Sequence, residues 1–252
     1  MTMDPIAEKL LAFAMVLTRI SAFVLVVPIF SSQSVPVRIK AAATVLLSIV
    51  FVMVKAPHIN VPSGSVLQIT LLLGIEATYG LALGLIPAIL FATVGLCGRI
   101  VERQMGLALA EVIDPMTGER AKPLSMLLEM LFTIMFLAAN GHHLFLLTIS
   151  QSYDVFSPGV IPGIHTLSAG VLEAGSAMLI SGLRLAAPML AAFLLLLVAL
   201  GVLARVAPEM NILFISLPMR VGLGLIMMMV FVPFVRGFVS EFADLMNKLI
   251  PL

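Results

Sequence analysis

Six stretches of this sequence are apolar over runs long enough to dictate the solvent that the folded chain needs. They extend from about Leu10 to Phe30, Ile39 to Val54, Val66 to Gly98, Leu124 to Ile149, Gly175 to Ala204 and Met210 to Val235. A helix that crosses a bilayer needs about 20 mostly apolar residues, and all but the short second stretch meet that length. Charge is correspondingly scarce, with 14 basic and 13 acidic residues in 252, whereas about a quarter of a soluble domain is charged. So few charges cannot cover the surface of a water-soluble sphere. They exclude a cytosolic globular enzyme and a disordered chain. A net charge of +1 leaves no polybasic footprint for nucleic acid. The expected fold is all-α: a polytopic helical membrane protein of about six apolar segments, forming one domain over residues 1–252.

The third and fifth segments exceed the usual span length, which implies tilted or kinked helices or helical hairpins. Pro87 removes one helical hydrogen bond from the third segment and should kink it. Asn140-Gly141 marks a hairpin point in the fourth, because both residue types accept the turn conformations that end a helix. The first nine residues include Asp4 and Glu8 and lack a basic leader, so the first apolar stretch reads as a retained helix, not a signal peptide. Lys and Arg in alternate connections divide eight against four. This favours a cytoplasmic Arg99–Pro123 connection with both termini on the far side. Cys97 is the lone cysteine, there is no Trp, Tyr occurs twice and Met 17 times. Methionine is flexible and polarizable, and suits surfaces that must adapt or seal.

Arg19, Glu76, Glu129 and Arg184 interrupt apolar segments. A charge facing lipid is costly, so each is expected at a helix interface, a partner subunit or a water-filled space. Two Arg and two Glu can pair, but the sequence does not say which. A proton relay needs several titratable groups on one path, and these lie on four segments. Gly80, Gly84, Ala88 and Ala92 recur at four-residue spacing, which keeps them near one helix face. Small residues there admit a second helix closely, from this chain or from a partner. His142 and His143 are adjacent and point about 100° apart on a helix, unlike an i, i+4 zinc pair. Neither HExxH, GxSxG nor a Walker A motif is present. No metal, cofactor or enzymatic activity is expected.

The most distinctive polar stretch is Arg99–Pro123. Its first part, Gln104–Ala110, is small and apolar, and its second, Asp114-Pro115-Met116-Thr117-Gly118, is a turn signal. An apolar connection beside membrane helices is best explained as buried in protein or lining a cavity.

A series of short motifs then follows in order. It comprises Arg19-Ile-Ser-Ala-Phe23, Pro28-Ile-Phe-Ser31, Pro36-Val-Arg38-Ile-Lys40, Gly74-Ile-Glu76, Gly80-Leu-Ala-Leu-Gly84, Gln104-Met-Gly106 and Asp114–Gly118. It continues with Asn140-Gly-His-His143, Pro188, Gly201–Arg205 and Ala207–Asn211. Through these motifs the chain resembles the FliR/SctT family of type III secretion export-gate subunits. The family often has Gln where Glu209 stands, and Arg or Glu where Leu73 stands.

The resemblance implies a non-enzymatic channel subunit. It would assemble with FliP and FliQ, beside FlhB and FlhA, in the bacterial inner membrane at the flagellar basal body. Unfolded flagellar subunits would pass through the gate, driven by proton motive force and an ATPase supplied elsewhere. The family's helices form hairpins in an assembly largely raised out of the bilayer plane, so six crossings would describe insertion, not the assembled state. The family's loop matching Gln104–Lys122 enters the pore and helps close it. Carried over, Met105, Gly106, Leu107, Ala108, Leu109 and Met116 would plug the channel, with Asp114, Pro115, Met116, Thr117 and Gly118 as its turn. The Asp114–Gly118 and Asn140–His143 motifs look flagellar; the alternative is an injectisome SctT-type subunit. A different class, the secondary transporter, would use Arg19, Glu76, Glu129 and Arg184 as coupling charges. An intramembrane enzyme would lean on His142, His143 or Glu129.

Overall fold

The computed structural model describes residues 5–31, 35–55, 66–106, 123–158 and 164–249. Within them the chain is helical, and the helices are α1 (Pro5–Val26), α2 (Pro28–Ser31), α3 (Val37–Lys55), α4 (Val66–Met105), α5 (Pro123–Ala138), α6 (His142–Val155), α7 (Ile164–Val206) and α8 (Ile212–Leu249). Five of them are long and apolar enough to cross a bilayer, and α5 with α6 makes a sixth when the pair is counted as one broken span. The protein is therefore a polytopic helical membrane protein. The break falls at the expected position, with Asn140 at φ 59° in the left-handed region.

Several helices outrun their apolar segments. α4 continues past Gly98 to Met105, because Arg99, Glu102, Arg103 and Gln104 are good helix formers. α7 begins at Ile164, inside a stretch that reads as a connection, and α8 continues through Pro233 to Leu249. Hydropathy detects where a helix is apolar, not where it stops. What stops α4 is Gly106, at φ 79° with its N–H on the Arg103 carbonyl (3.2 Å). A left-handed glycine is a common helix terminator.

The described residues divide into two compact units. One draws on Met1–Leu90, Asn140–Gly175 and Phe242–Leu252, the other on Phe91–Ala139 and Ser176–Glu241. α4, α7 and α8 each contribute residues to both.

In the first unit α1 packs along α3 and against the Gly80–Gly84 face of α4. Aromatic rings fill its interior: Phe23 on Phe145 (6.3 Å between centroids), Phe51 on Tyr153 (5.7 Å) and Tyr79 on Phe156 (5.1 Å). α3 is inside-out relative to a soluble helix. Its buried positions include Thr44 and Ser48, while Leu46, Ile49, Val50 and Met53 face outward. The buried hydroxyls cost little because each bonds the carbonyl four residues back, Thr44 on Lys40 (2.8 Å) and Ser48 on Thr44 (2.7 Å).

In the second unit Phe91 packs on Phe132 (4.9 Å) and Phe136 (5.1 Å), and Phe132 on Phe238 (5.6 Å). Leu194, Leu195, Leu197 and Val198 of α7 and Met229, Val230 and Phe234 of α8 are exposed. Apolar exposure on this scale needs a lipid or protein neighbour.

Candidate functional site

Two constructions stand out, one in each unit. The first is a buried clamp around Arg19. Arg19 and Glu76 are only 3% and 2% exposed, and Arg19 Nε donates to Glu76 Oε2 at 2.6 Å. Arg19 Nη1 donates to the Phe156 carbonyl (3.0 Å), the Ser152 carbonyl (3.3 Å) and Ser152 Oγ (3.4 Å). Those carbonyls stand at the end of α6, where the dipole favours a cation; the Ser152 carbonyl also accepts the Phe156 N–H (3.0 Å). The guanidinium also lies over two aromatic faces, 4.6 Å from the Tyr79 centroid and 4.5 Å from that of Tyr153, within cation–π range. One side chain thus ties α1 to α4 and α6.

Glycine makes this approach feasible. A Cβ at Gly80 would overlap the Arg19 carbonyl oxygen and lie 2.9 Å from Ala22 Cβ, and one at Gly84 would lie 3.0 Å from the Phe23 carbonyl oxygen. Gly80 and Gly84 therefore contact α1 of the same chain. Ala88 and Ala92 are half-buried.

The second construction joins the end of α4 to the start of α5. Glu102, on the last turns of α4, accepts from the backbone N–H groups of Leu124 (2.6 Å) and Ser125 (2.9 Å) through Oε1. Its Oε2 accepts from Ser125 Oγ (2.9 Å). Pro123 opens α5, where a proline fits because its missing N–H is not needed. Glu102 supplies the N-terminal cap from another helix, and its negative charge suits the dipole there. At Gly98 a Cβ would come within 2.6 Å of Ser125 Cα, so the two helices meet closely at this point. Met105 is buried, and fills the space left by Gly224 of α8, where a Cβ would lie 2.5 Å from its sulfur.

The structure brings together two of the four intra-segment charges, Arg19 with Glu76. The other two have separate surroundings in the second unit. A Cβ at Gly95 would meet the Glu129 carboxylate and would lie 3.4 Å from Arg99 Nη1. Arg184 Nη1 bonds Glu241 Oε1 at 3.3 Å. Of the expected pore-plug residues, Met105 is a buried anchor and Gly106 the helix terminator. Leu107, Ala108, Leu109, Asp114, Pro115, Met116, Thr117 and Gly118 lie outside the described residues. Sequence reasoning missed Glu102, Ser152, Tyr79, Tyr153 and Glu241. The two tyrosines carried a signal, being the chain's only ones in a sequence without Trp. Among the described residues no group of three His, Cys, Asp or Glu side chains is placed to hold a metal ion.

Comparison with known proteins adds to this geometry. Residues 10–246 match the family described as bacterial export proteins, family 1. The chain is 31% identical over 233 residues to the flagellar biosynthetic protein FliR of Bacillus subtilis, covering 90% of this chain and 88% of the relative. It is 30% identical over 234 residues to FliR of Escherichia coli, covering 92% and 89%. It is 24% identical over 236 residues to the Yop proteins translocation protein T of Yersinia pestis, again covering 92% and 89%.

Proposed function

This chain belongs to the bacterial export proteins, family 1, and from that premise we propose that it is a non-enzymatic channel subunit of the flagellar type III protein export gate. It assembles with FliP and FliQ in the bacterial inner membrane at the basal body, with FlhB and FlhA as neighbours, and unfolded flagellar subunits are its cargo. The family match across almost the whole chain carries this reading. Higher identity to the flagellar relatives than to the translocation protein favours a flagellar over an injectisome role.

The geometry supports a structural role over a solute transporter. Arg19 and Glu76 are saturated by each other, by α6 carbonyls and by aromatic faces, so they hold helices instead of shuttling protons. The apolar outer faces of α3, α7 and α8 offer surface to lipid or sister subunits.

Segment 107–122, with Met105 and Gly106 at its root, closes the pore in this reading, and Asp114 to Gly118 form its turn. Support comes from the anchors at its ends, Glu102 on Leu124 and Ser125, and Met105 at Gly224. The test is deletion of Gly106–Gly118 in cells that express the whole gate. Small-ion conductance of the membrane should rise, and unchanged conductance with an assembled gate contradicts the assignment.

A further inference from the structure

In the second unit the last turns of α4 meet their two neighbours through seams of different strength. Toward α5 the seam is polar: Glu102 accepts from the Leu124 N–H (2.6 Å), the Ser125 N–H (2.9 Å) and Ser125 Oγ (2.9 Å). Hydrogen bonds to an ionised acceptor are about twice as strong as neutral ones. Toward α8 the seam is packing. The thioether end of Met105 lies on the backbone of Gly224, with Sδ, Cγ and Cε 2.5, 2.6 and 2.7 Å from the position a Cβ would take there. At Gly106, which ends α4, a Cβ would lie 3.4 Å from Leu217 Cδ1.

The stretch of α8 that carries this seam is weakly built. Pro218 removes a hydrogen bond from its ladder. Gly222 stands between the two contacts, and a Cβ there meets nothing within 4 Å; glycine inside a helix weakens it. Methionine is itself flexible and repacks readily. A thioether can leave a glycine without breaking a hydrogen bond, whereas the Glu102 seam gives up three.

We propose that the Met105–Gly224 seam is the one that opens when the gate passes a chain. The end of α4 moves together with the start of α5 and leaves α8. In the closed state Met105 seated on Gly224 fixes the end of α4, which makes Gly224 a positioning residue for closure. This motion rests on the export-gate reading and names the contact that parts within it.

Met105→Cys with Gly224→Cys tests it in cells that express the whole gate. Met105 Cγ, where a cysteine sulfur would sit, is 2.6 Å from the Cβ position of residue 224, within disulfide reach. Oxidation should join the peptides that carry residues 105 and 224 and stop secretion of a flagellar subunit, and reduction should restore it. Secretion that continues through the crosslinked gate overturns the proposal. So does an assembled gate in which the two cysteines fail to join. Gly224→Ala tests the closed contact without a crosslink. Its Cβ pushes Met105 off its seat, and small-ion conductance per assembled gate should rise about tenfold. Gly222→Ala should leave conductance at the wild-type level, because its Cβ meets nothing. Equal conductance in these two variants overturns the proposal. Secretion that survives loss of the entire chain is a separate result: it contradicts the export-gate reading, and the proposal with it.

Discussion

Glu76→Gln keeps the shape of the side chain and removes its charge, which leaves Arg19 as an uncompensated cation 3% exposed. Breaking a buried ion pair from one side costs about 3–5 kcal/mol. Arg19 keeps its bonds to Ser152 and Phe156 and its two aromatic faces, which places the expected loss near the lower end, about 3 kcal/mol. Removing both charges, as Arg19→Met with Glu76→Leu, behaves differently. No buried charge is left, and the main deficit is the donor to the Phe156 carbonyl, about 1–2 kcal/mol. The double variant should therefore be more stable than Glu76→Gln alone. The assay is built into the molecule: Tyr79 and Tyr153 are the only tyrosines, no Trp masks them, and both pack on Arg19. Unfolding of the full chain by SDS in mixed micelles can be followed by tyrosine fluorescence. A cost below about 1 kcal/mol for Glu76→Gln, within the range of an exposed pair, would refute the clamp as a stabilising element. So would a double variant as unstable as the sum of its single changes.

Gly80→Leu should drive α1 off α4 and lower the amount of folded chain in membranes, whereas Gly74→Leu should be neutral, because a Cβ at Gly74 meets nothing within 4 Å. Protease protection of α1 distinguishes the two. Glu102→Ala should destabilise the start of α5 by about 1–2 kcal/mol, the worth of a helix cap, read as faster hydrogen exchange at Leu124 and Ser125; Ser125→Ala should have a smaller effect. Gly224→Ala should displace the Met105 side chain and lower stability by about 1–3 kcal/mol through overpacking, with recovery when Met105→Ala is added. Cys97, fully buried, should resist a membrane-permeant thiol reagent until the second unit opens.

The parts legible in the sequence are those written in local pattern. Apolar runs marked the helices, Asn140-Gly141 the break, and the rarity of intramembrane charge marked Arg19 and Glu76 as interior groups. The pairing was not legible, because Arg19 meets residues 57 and 133 positions away, and no local period encodes such contacts. Glu102 was hidden for another reason. Set among Arg99, Arg103 and Gln104, it reads as part of a polar connection, and only the continuation of α4 to Met105 turns it toward α5. Arg184 was flagged but its partner was not, since Glu241 lies beyond the last apolar run, in the polar end of α8.

The central claim is that this chain is one subunit of a heteromeric export gate. Its most direct test is gentle detergent extraction of the tagged, full-length chain from cells that carry its neighbouring genes, followed by native mass spectrometry. The account predicts a complex that holds FliP-like and FliQ-like subunits in fixed ratio with this chain. Recovery of the chain alone, or only in copies of itself, would contradict it.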